Sequence, residues 1–314
     1  MRHLSIGIPR GLLFHRHGEA WKLFFRELGF EVTVSPETNS DILKEGIRHT
    51  VGDLCLPVKT FLGHTAVLKD IVDILFIPRY VSVEQESYMC PKMIGLPDVA
   101  RACMANLPPV LDPMFHVKLH GEKTVKEFAG PVAKILSLSP AAVSAACKRF
   151  LSHPEGGTSG QQRQAEDEGR GLSSAPGKMN IAVIGRPYLL FDRHLSKDLF
   201  HFIKKLGANP VYLSPDTAGI REAMAVIPKW VYWDMGKEVV AAAHLSFKDE
   251  RIDGVVNVVS ATCGPDSFTG DLIRKRLNQR NKPYMSLSLD EHTSDVGIQT
   301  RLEAFIDMIA KVTA

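Results

Sequence analysis

Ile184-Gly-Arg-Pro-Tyr-Leu-Leu-Phe-Asp-Arg-His194 decides the fold, because it has an echo near the start of the chain, Ile6-Gly-Ile-Pro-Arg-Gly-Leu-Leu-Phe-His-Arg-His17. Leu-Leu-Phe-x-Arg-His is common to Leu12–His17 and Leu189–His194. Further out, Leu28-Gly29 matches Leu206-Gly207 and Ser35-Pro36 matches Ser214-Pro215, so the spacing between copies rises from 177 to 178 to 179. Three matches in one order, needing two single insertions, point to a repeated unit. Within the first copy Leu4-Ser-Ile-Gly-Ile8 reads as a strand. Ala20 to Leu28 has helical spacing and stops at Gly29. Phe30-Glu-Val-Thr-Val34 alternates as a second strand. Such a βαβ unit of about 30 residues requires parallel strands. A weaker echo pairs Asp73-Ile-Leu-Phe-Ile77 with Asp253-Gly-Val-Val-Asn257. The pattern predicts α/β architecture: two doubly wound, Rossmann-like domains, 1–151 and 179–314, related by the repeat and facing each other across a cleft.

Between them, residues 152–178 are rich in Gly, Ser, Gln and charge and nearly free of large apolar groups. Such a stretch cannot bury enough surface to offset the entropy of ordering, so it reads as a flexible linker or insert. The whole chain has 314 residues, 45% hydrophobic and 23% charged, with a formal net charge of +3. That balance gives no nucleic-acid or membrane surface. The start is interrupted by Pro9-Arg10 too soon for a signal peptide, and no apolar run reaches the roughly 18 residues of a membrane helix. A cytoplasmic protein is expected.

The five cysteines are odd in number and widely spaced, which argues against disulfides and for metal binding or burial. Cys263 follows the apolar run Val255-Val-Asn-Val-Val259 and leads, through Gly264-Pro265, into a charged helical segment. Cys55 and Cys90 stand in similar settings, just before Leu56-Pro57 and Pro91, and a proline suits a first helical turn. Helix N-termini carry unpaired N–H groups that favour a thiolate and an anionic cluster. Ligands of open α/β sheets collect beyond the carboxyl ends of the strands. Three thiolates meeting there would leave one iron of a [4Fe–4S] cluster open. No C-x-x-C pair marks the site, so spacing alone leaves three inert, buried cysteines equally open. Cys103 and Cys147 fall on apolar helix faces and read as core.

Other residues have plainer readings. The pairs Arg16-His17 and Arg193-His194 either face the cleft or brace equivalent loops. Lys59 and Lys92 follow cysteines closely enough to favour thiolates, although solvated lysines are commoner. Asp266-Ser267 reads as a helix cap. Tyr188, Trp230, Tyr232 and Trp233 read as core or interface. There is no G-x-x-x-x-G-K-[ST], no G-x-G-x-x-G after a strand, no G-x-S-x-G and no H-E-x-x-H. ATP, if used, belongs on another chain.

Taken together, Ile6-Gly-Ile-Pro-Arg-Gly-Leu-Leu13, Asp53-Leu-Cys-Leu-Pro-Val-Lys59, Cys90-Pro-Lys92, Cys263-Gly-Pro-Asp-Ser267, Asp290-Glu-His-Thr293 and Gln299-Thr-Arg-Leu-Glu-Ala-Phe305 resemble the activase-associated family of 2-hydroxyacyl-CoA dehydratase proteins. That family is related to benzoyl-CoA reductase subunits and double-cubane-cluster proteins. The resemblance covers nearly the whole chain apart from 152–178. It implies a [4Fe–4S]-type iron–sulfur cluster held by three cysteines between α/β domains, and Cys55, Cys90 and Cys263 match the family positions. It further implies low-potential electrons from a separate ATP-hydrolysing activator of the actin-like ATPase class, and a homo- or hetero-oligomer. The electron goes to a difficult reduction or a radical dehydration in such systems. The chain departs from the fused architecture in carrying no ATPase domain, and three placed cysteines are too few for a double cubane. Whether it turns over a substrate itself is left open by these residues. A non-catalytic binding or assembly protein for an acyl-CoA-type ligand or partner stands as the alternative, as does a zinc site with His17 or His194 as the fourth ligand.

Overall fold

The computed structural model describes residues 4–50, 52–82, 87–116, 122–152, 171–173, 175, 177–227, 231–277 and 282–313. The chain divides into two compact units, Met1–Gly160 and Gln161–Ala314. Each is mixed α/β, built on a four-stranded sheet whose strands are all parallel. Most of the expected insert lies outside the described residues. Its far end is tied down: Ser173 N–H donates to Asn180 Oδ1 at 2.8 Å, and Asn209 Nδ2 donates to the Gly171 carbonyl at 3.0 Å.

The first unit opens with β1 (Ser5–Ile8), α1 (Phe14–Glu27) and β2 (Glu31–Val34), then α2 (Ser40–Arg48) and α3 (Leu56–Leu68). Asn39 starts α2 as its side chain accepts from the N–H groups of Asp41 and Ile42. The helices α2 and α3 pack backbone to backbone. A Cβ added at Gly46 would stand 1.9 Å from the Lys59 carbonyl oxygen, and one at Gly63 would stand 1.9 Å from that of Ile42. Next come β3 (Ile74–Phe76), β4 (Arg79–Ser82), α4 (Pro91–Ile94), α5 (Leu96–Cys103), β5 (Val110–Leu111), β6 (Met114–His116), α6 (Glu122–Leu136) and α7 (Pro140–Ser152). The main sheet runs β2-β1-β3-β5, and β4 pairs with β6 separately. This second small sheet occupies segments in which the sequence pattern points to no strand. Arg79 anchors it, donating to Asp98 at 2.7 and 3.1 Å and to Asp112 at 3.3 Å. A chain of aromatic contacts, Trp21 and Phe25 on Phe76 and Tyr80 stacked on Phe115, forms the core between them.

The second unit repeats the plan. Its elements are β7 (Asn180–Gly185), α8 (Pro187–Leu190), α9 (Arg193–Ser196), α10 (Leu199–Lys205), β8 (Asn209–Tyr212), α11 (Thr217–Ala225), α12 (Asp234–Lys248), β9 (Gly254–Ser260), α13 (Gly264–Leu277), β10 (Tyr284–Leu289) and α14 (Asp295–Thr313). Its sheet order, β8-β7-β9-β10, matches β2-β1-β3-β5 strand for strand. The weak echo of aspartates is a shared device. Asp73 Oδ2 accepts the Ser5 N–H at 2.8 Å at the head of β1, and Asp253 Oδ2 accepts that of Asn180 at 2.6 Å at the head of β7. The helix after the first strand differs: α1 is continuous, whereas its counterpart is three short pieces. Asp192, standing where the first copy has His15, caps α9 by accepting from the N–H groups of His194 and Leu195. Lys197 and Asp198 then adopt left-handed backbone, φ 55° and 51°, which ends the turn.

Candidate functional site

In each unit the chemistry-bearing residues stand where helices begin. Cys55 is the N-cap of α3, with extended backbone (φ −71°, ψ 151°) and Pro57 in the first turn. Its carbonyl accepts from Val58 N–H at 2.9 Å and Lys59 N–H at 3.1 Å. Cys90 repeats this geometry as the N-cap of α4 (φ −65°, ψ 151°), its carbonyl accepting from Met93 and Ile94 at 2.9 and 3.1 Å. Cys55 is buried and Cys90 half-buried. Lys92 ties the two loops together, donating from Nζ to the Asp53 carbonyl at 3.0 Å. Lys59 is not the solvated lysine its type suggests: it is buried in the first turn of α3. In the second unit Trp233 caps α12 where Cys55 caps α3, and Lys237, four residues on, is buried like Lys59.

Cys263 immediately precedes α13 and is buried. Its N–H donates to the Ser260 carbonyl at 3.1 Å, and its own carbonyl accepts from Ser267 N–H at 3.0 Å and Ser267 Oγ at 3.1 Å. Asp266 lies within the first turn of α13, and its carboxylate bonds groups outside that helix. Oδ2 accepts from Ser260 N–H at 3.0 Å, and Oδ1 accepts from Arg186 Nε at 2.6 Å. Arg186 is itself buried and reaches the Tyr188 hydroxyl at 3.1 Å. Burial works against its charge. Tyr188, Asp266 and Cys263 more than offset that and hold its pKa well above the ordinary arginine value. The residue types alone do not single out Arg186. The available signal was a charged residue at the end of an apolar run, in Ile184-Gly-Arg-Pro187, where the first copy has Ile8.

A polar group also lies beyond β1. Arg10 N–H donates to Ser35 Oγ at 2.8 Å, and its Nε donates to the Ser35 carbonyl at 3.1 Å. Thr38 Oγ1 and His64 Nε2 are 2.9 Å apart. Burial, then the Arg10 charge, lowers the His15 pKa to about 3. Burial, then His15 and Arg10, lowers that of His64 to about 3.

The pairs Arg16-His17 and Arg193-His194 lie not in loops but in helices, within α1 and at the start of α9, and make local contacts there. His17 stacks on Tyr80, ring centres 5.5 Å apart and planes within 1°, and its pKa is lowered to about 3 by burial and Arg16. Arg193 pairs with Asp198 at 2.5 Å. Burial, then Lys197, lowers the His194 pKa. Cys147 is fully buried in α7 and Cys103 half-buried in α5. Tyr188 and Trp233 pack inside and Tyr232 is exposed, while Trp230 lies outside the described residues. Among the described residues no three His, Cys, Asp or Glu side chains gather as a metal ion requires.

Residues 5–214, more than half of the chain and including Cys55 and Cys90, match the family described as "CoA enzyme activase uncharacterised domain (DUF2229)". The chain belongs to this family. Residues 232–309 of this CoA enzyme activase domain protein, including Cys263, match "2-hydroxyglutaryl-CoA dehydratase, D-component", which makes the chain a 2-hydroxyacyl-CoA dehydratase-related protein. A 64-residue stretch is 36% identical to "Putative dehydratase subunit YjiM" of Escherichia coli (strain K12), covering 20% of this chain and 17% of that one. The match therefore spans under a fifth of that relative's length. Two solved structures align over most of their length. One is a periplasmic binding ribose operon repressor protein from Lactobacillus acidophilus, at 10% identity, covering 99% of this chain and 92% of that one with TM-score 0.22. The other is the lactose repressor bound to the anti-inducer ONPF, at 12% identity, 91% and 97% coverage and TM-score 0.25. Scores this low bear on neither fold nor function. No helix among the described residues is long and apolar enough to cross a membrane.

Proposed function

We propose that this chain is an iron–sulfur redox protein whose Cys55, Cys90 and Cys263 supply three thiolates to a [4Fe–4S]-type cluster, and that a separate ATP-dependent activator delivers its electrons. The observation that carries this is positional. Of five cysteines, these three stand directly before helices, Cys90 and Cys263 in loops that follow strands and Cys55 in the loop between α2 and α3, while Cys103 and Cys147 lie inside helices. The donor set fits the group: soft sulfur ligands, each at a helix N-terminus whose free N–H groups favour negative charge. Lys92 holds the Cys55 and Cys90 loops side by side. The family membership supports the cluster and the activator. The reading requires each unit to be a doubly wound, Rossmann-like domain and Cys263 to reach the other two cysteines. When bound, the cluster would store and release one low-potential electron, and the chain's residues would hold it and set its surroundings.

Anaerobic reconstitution tests this. The wild-type chain should bind about 4 Fe per chain, with broad visible absorbance, for one such cluster. Cys55→Ala, Cys90→Ala and Cys263→Ala should each abolish it, and Cys103→Ala should not. Uptake of zinc without iron would overturn the redox reading. Uptake of neither would leave a binding or assembly protein whose cysteines are structural.

A further inference from the structure

The second unit holds two buried hydrogen-bond donors with no acceptor. Arg186 is 2% exposed, and its three nitrogens are used unequally: Nε on Asp266, Nη1 on the Tyr188 hydroxyl, and Nη2 buried with no partner. Ser260 is 3% exposed, and its hydroxyl is likewise buried and unpartnered. The two are neighbours by construction. Arg186 is the first residue after β7, Ser260 is the last of β9, and these strands pair in parallel with Gly185 opposite Val258. Gly185 permits the approach, since a Cβ there would stand 2.8 Å from the Val258 carbonyl oxygen. Asp266 locks the arrangement by bonding Arg186 with one oxygen and the Ser260 N–H with the other. Cys263 lies between Ser260 and Asp266 in the chain, its N–H on the Ser260 carbonyl.

A buried donor left unpaired loses its hydration with nothing in return, and the loss is greater when the donor is charged. Two such donors at the carboxyl ends of adjacent strands, where ligands of parallel sheets bind, call for an acceptor of negative charge. Asp266 already spends both oxygens on Arg186 Nε and the Ser260 N–H, and Cys263, between Ser260 and Asp266 in the chain, would present a further anionic acceptor when ligating. Its charge and that of Arg186 act on each other, which keeps the guanidinium ionised.

We infer that Arg186 is a positioning residue for sulfur at Cys263: its free Nη2 donates to the thiolate, or to an inorganic sulfide held beside it, with the Ser260 hydroxyl as second donor. This rests on the cluster reading above. Hydrogen bonds and positive charge at a cluster's sulfurs stabilise its more negative, reduced form. Arg186 therefore raises the potential of the bound centre and slows its loss of iron.

The test is a redox titration of the anaerobically reconstituted protein, followed by the reduced-state resonance spectrum, with iron counted in each sample. Arg186→Gln should move the midpoint to more negative values, Arg186→Lys should move it less because the charge is kept, and Ser260→Ala should produce a smaller shift in the same direction. Pulsed resonance of the reduced wild-type protein labelled with ¹⁵N-arginine gives a readout that needs no variant. A nitrogen coupling at the cluster supports the assignment even if Arg186→Gln does not fold. Wild-type iron content with unchanged midpoints in all three variants, or no ¹⁵N coupling in the loaded wild type, overturns the role of Arg186 alone. Wild-type protein that takes up no iron overturns the cluster reading and this inference with it.

Discussion

At the scale of single residues, two buried environments make opposite demands. Cys147 is fully buried in α7 with nothing to stabilise its anion, so burial pushes its thiol pKa up to about 12. It should resist alkylation at pH 8 in the native chain and react only after unfolding, as mass spectrometry of iodoacetamide-treated peptides would reveal. Asp266 lies in a buried ion pair, and removing one partner of such a pair costs about 3–5 kcal/mol because the other charge is left stranded. Asp266→Asn should therefore lower the urea midpoint of the second unit by a corresponding amount. A loss under about 1 kcal/mol would mean that Arg186 finds another acceptor. That the three cysteines stand at helix starts can be read from the sequence because the residue type and the proline one or two places on are local, with an apolar run before Cys263 as well. Arg186 cannot be read so, since its partner Asp266 is 80 residues away along the chain. Nothing local distinguishes a buried arginine from an exposed one.

At the scale of elements, the pairing of α2 with α3 decides where Cys55 sits, and it depends on two glycines. In an open helix Gly→Ala stabilises by up to about 1 kcal/mol. Here the sign should reverse, since a methyl at Gly46 or Gly63 would collide with backbone carbonyl oxygens that cannot swing away. Gly46→Ala and Gly63→Ala should each cost about 1–3 kcal/mol or more, the range of overpacked cores. Gly130→Ala in α6, where a Cβ meets nothing within 4 Å, should be neutral or stabilising. Equilibrium unfolding of the three variants checks both signs, and a stabilised Gly46→Ala would show that the two helices are free to separate. β1, α1 and β2 are legible because their periodicity and stop signals lie within a few residues, and Gly29, with φ 85°, follows the end of α1 as expected. The helix contact is not, because a glycine in a helical pattern reads only as a weak spot. The β4–β6 pair was missed for a related reason: strands of four and three residues carry too few alternations to separate from loop. The break between α8, α9 and α10 was masked by the repeat itself, which copies Leu-Leu-Phe-x-Arg-His while changing His15 to Asp192.

At the scale of the whole molecule, stability should depend on pH through the first unit. His15 and His64 are fully buried, and both pKa values are lowered to about 3, His15 by burial and then Arg10, His64 by burial, then His15 and then Arg10. In the unfolded chain each returns to about 6.5. Between those values the unfolded state binds protons that the folded state refuses, so unfolding takes up protons and stability falls as pH falls. The contribution is complete above about pH 6.5 and is lost progressively down to about pH 3. At pH 5 the arithmetic gives about 2 kcal/mol for each histidine, and His17 in α1, also lowered to about 3, adds a like amount, so the total is about 6 kcal/mol, a large share of the 5–15 kcal/mol that a domain holds. Denaturant unfolding from pH 7.5 to 5 should therefore show a steep loss of stability in Met1–Gly160. Hydrogen exchange read by fragment would place that loss in α1 and α3, which carry these histidines, before the second unit responds. His64→Gln removes one of the three titrating groups and keeps a polar partner for Thr38, so it should flatten the slope by about a third even if it lowers stability at neutral pH. A pH dependence equal in the two units, or unchanged in His64→Gln, would mean that these histidines are protonated in the folded chain and that Arg10 is not the charge that holds them neutral.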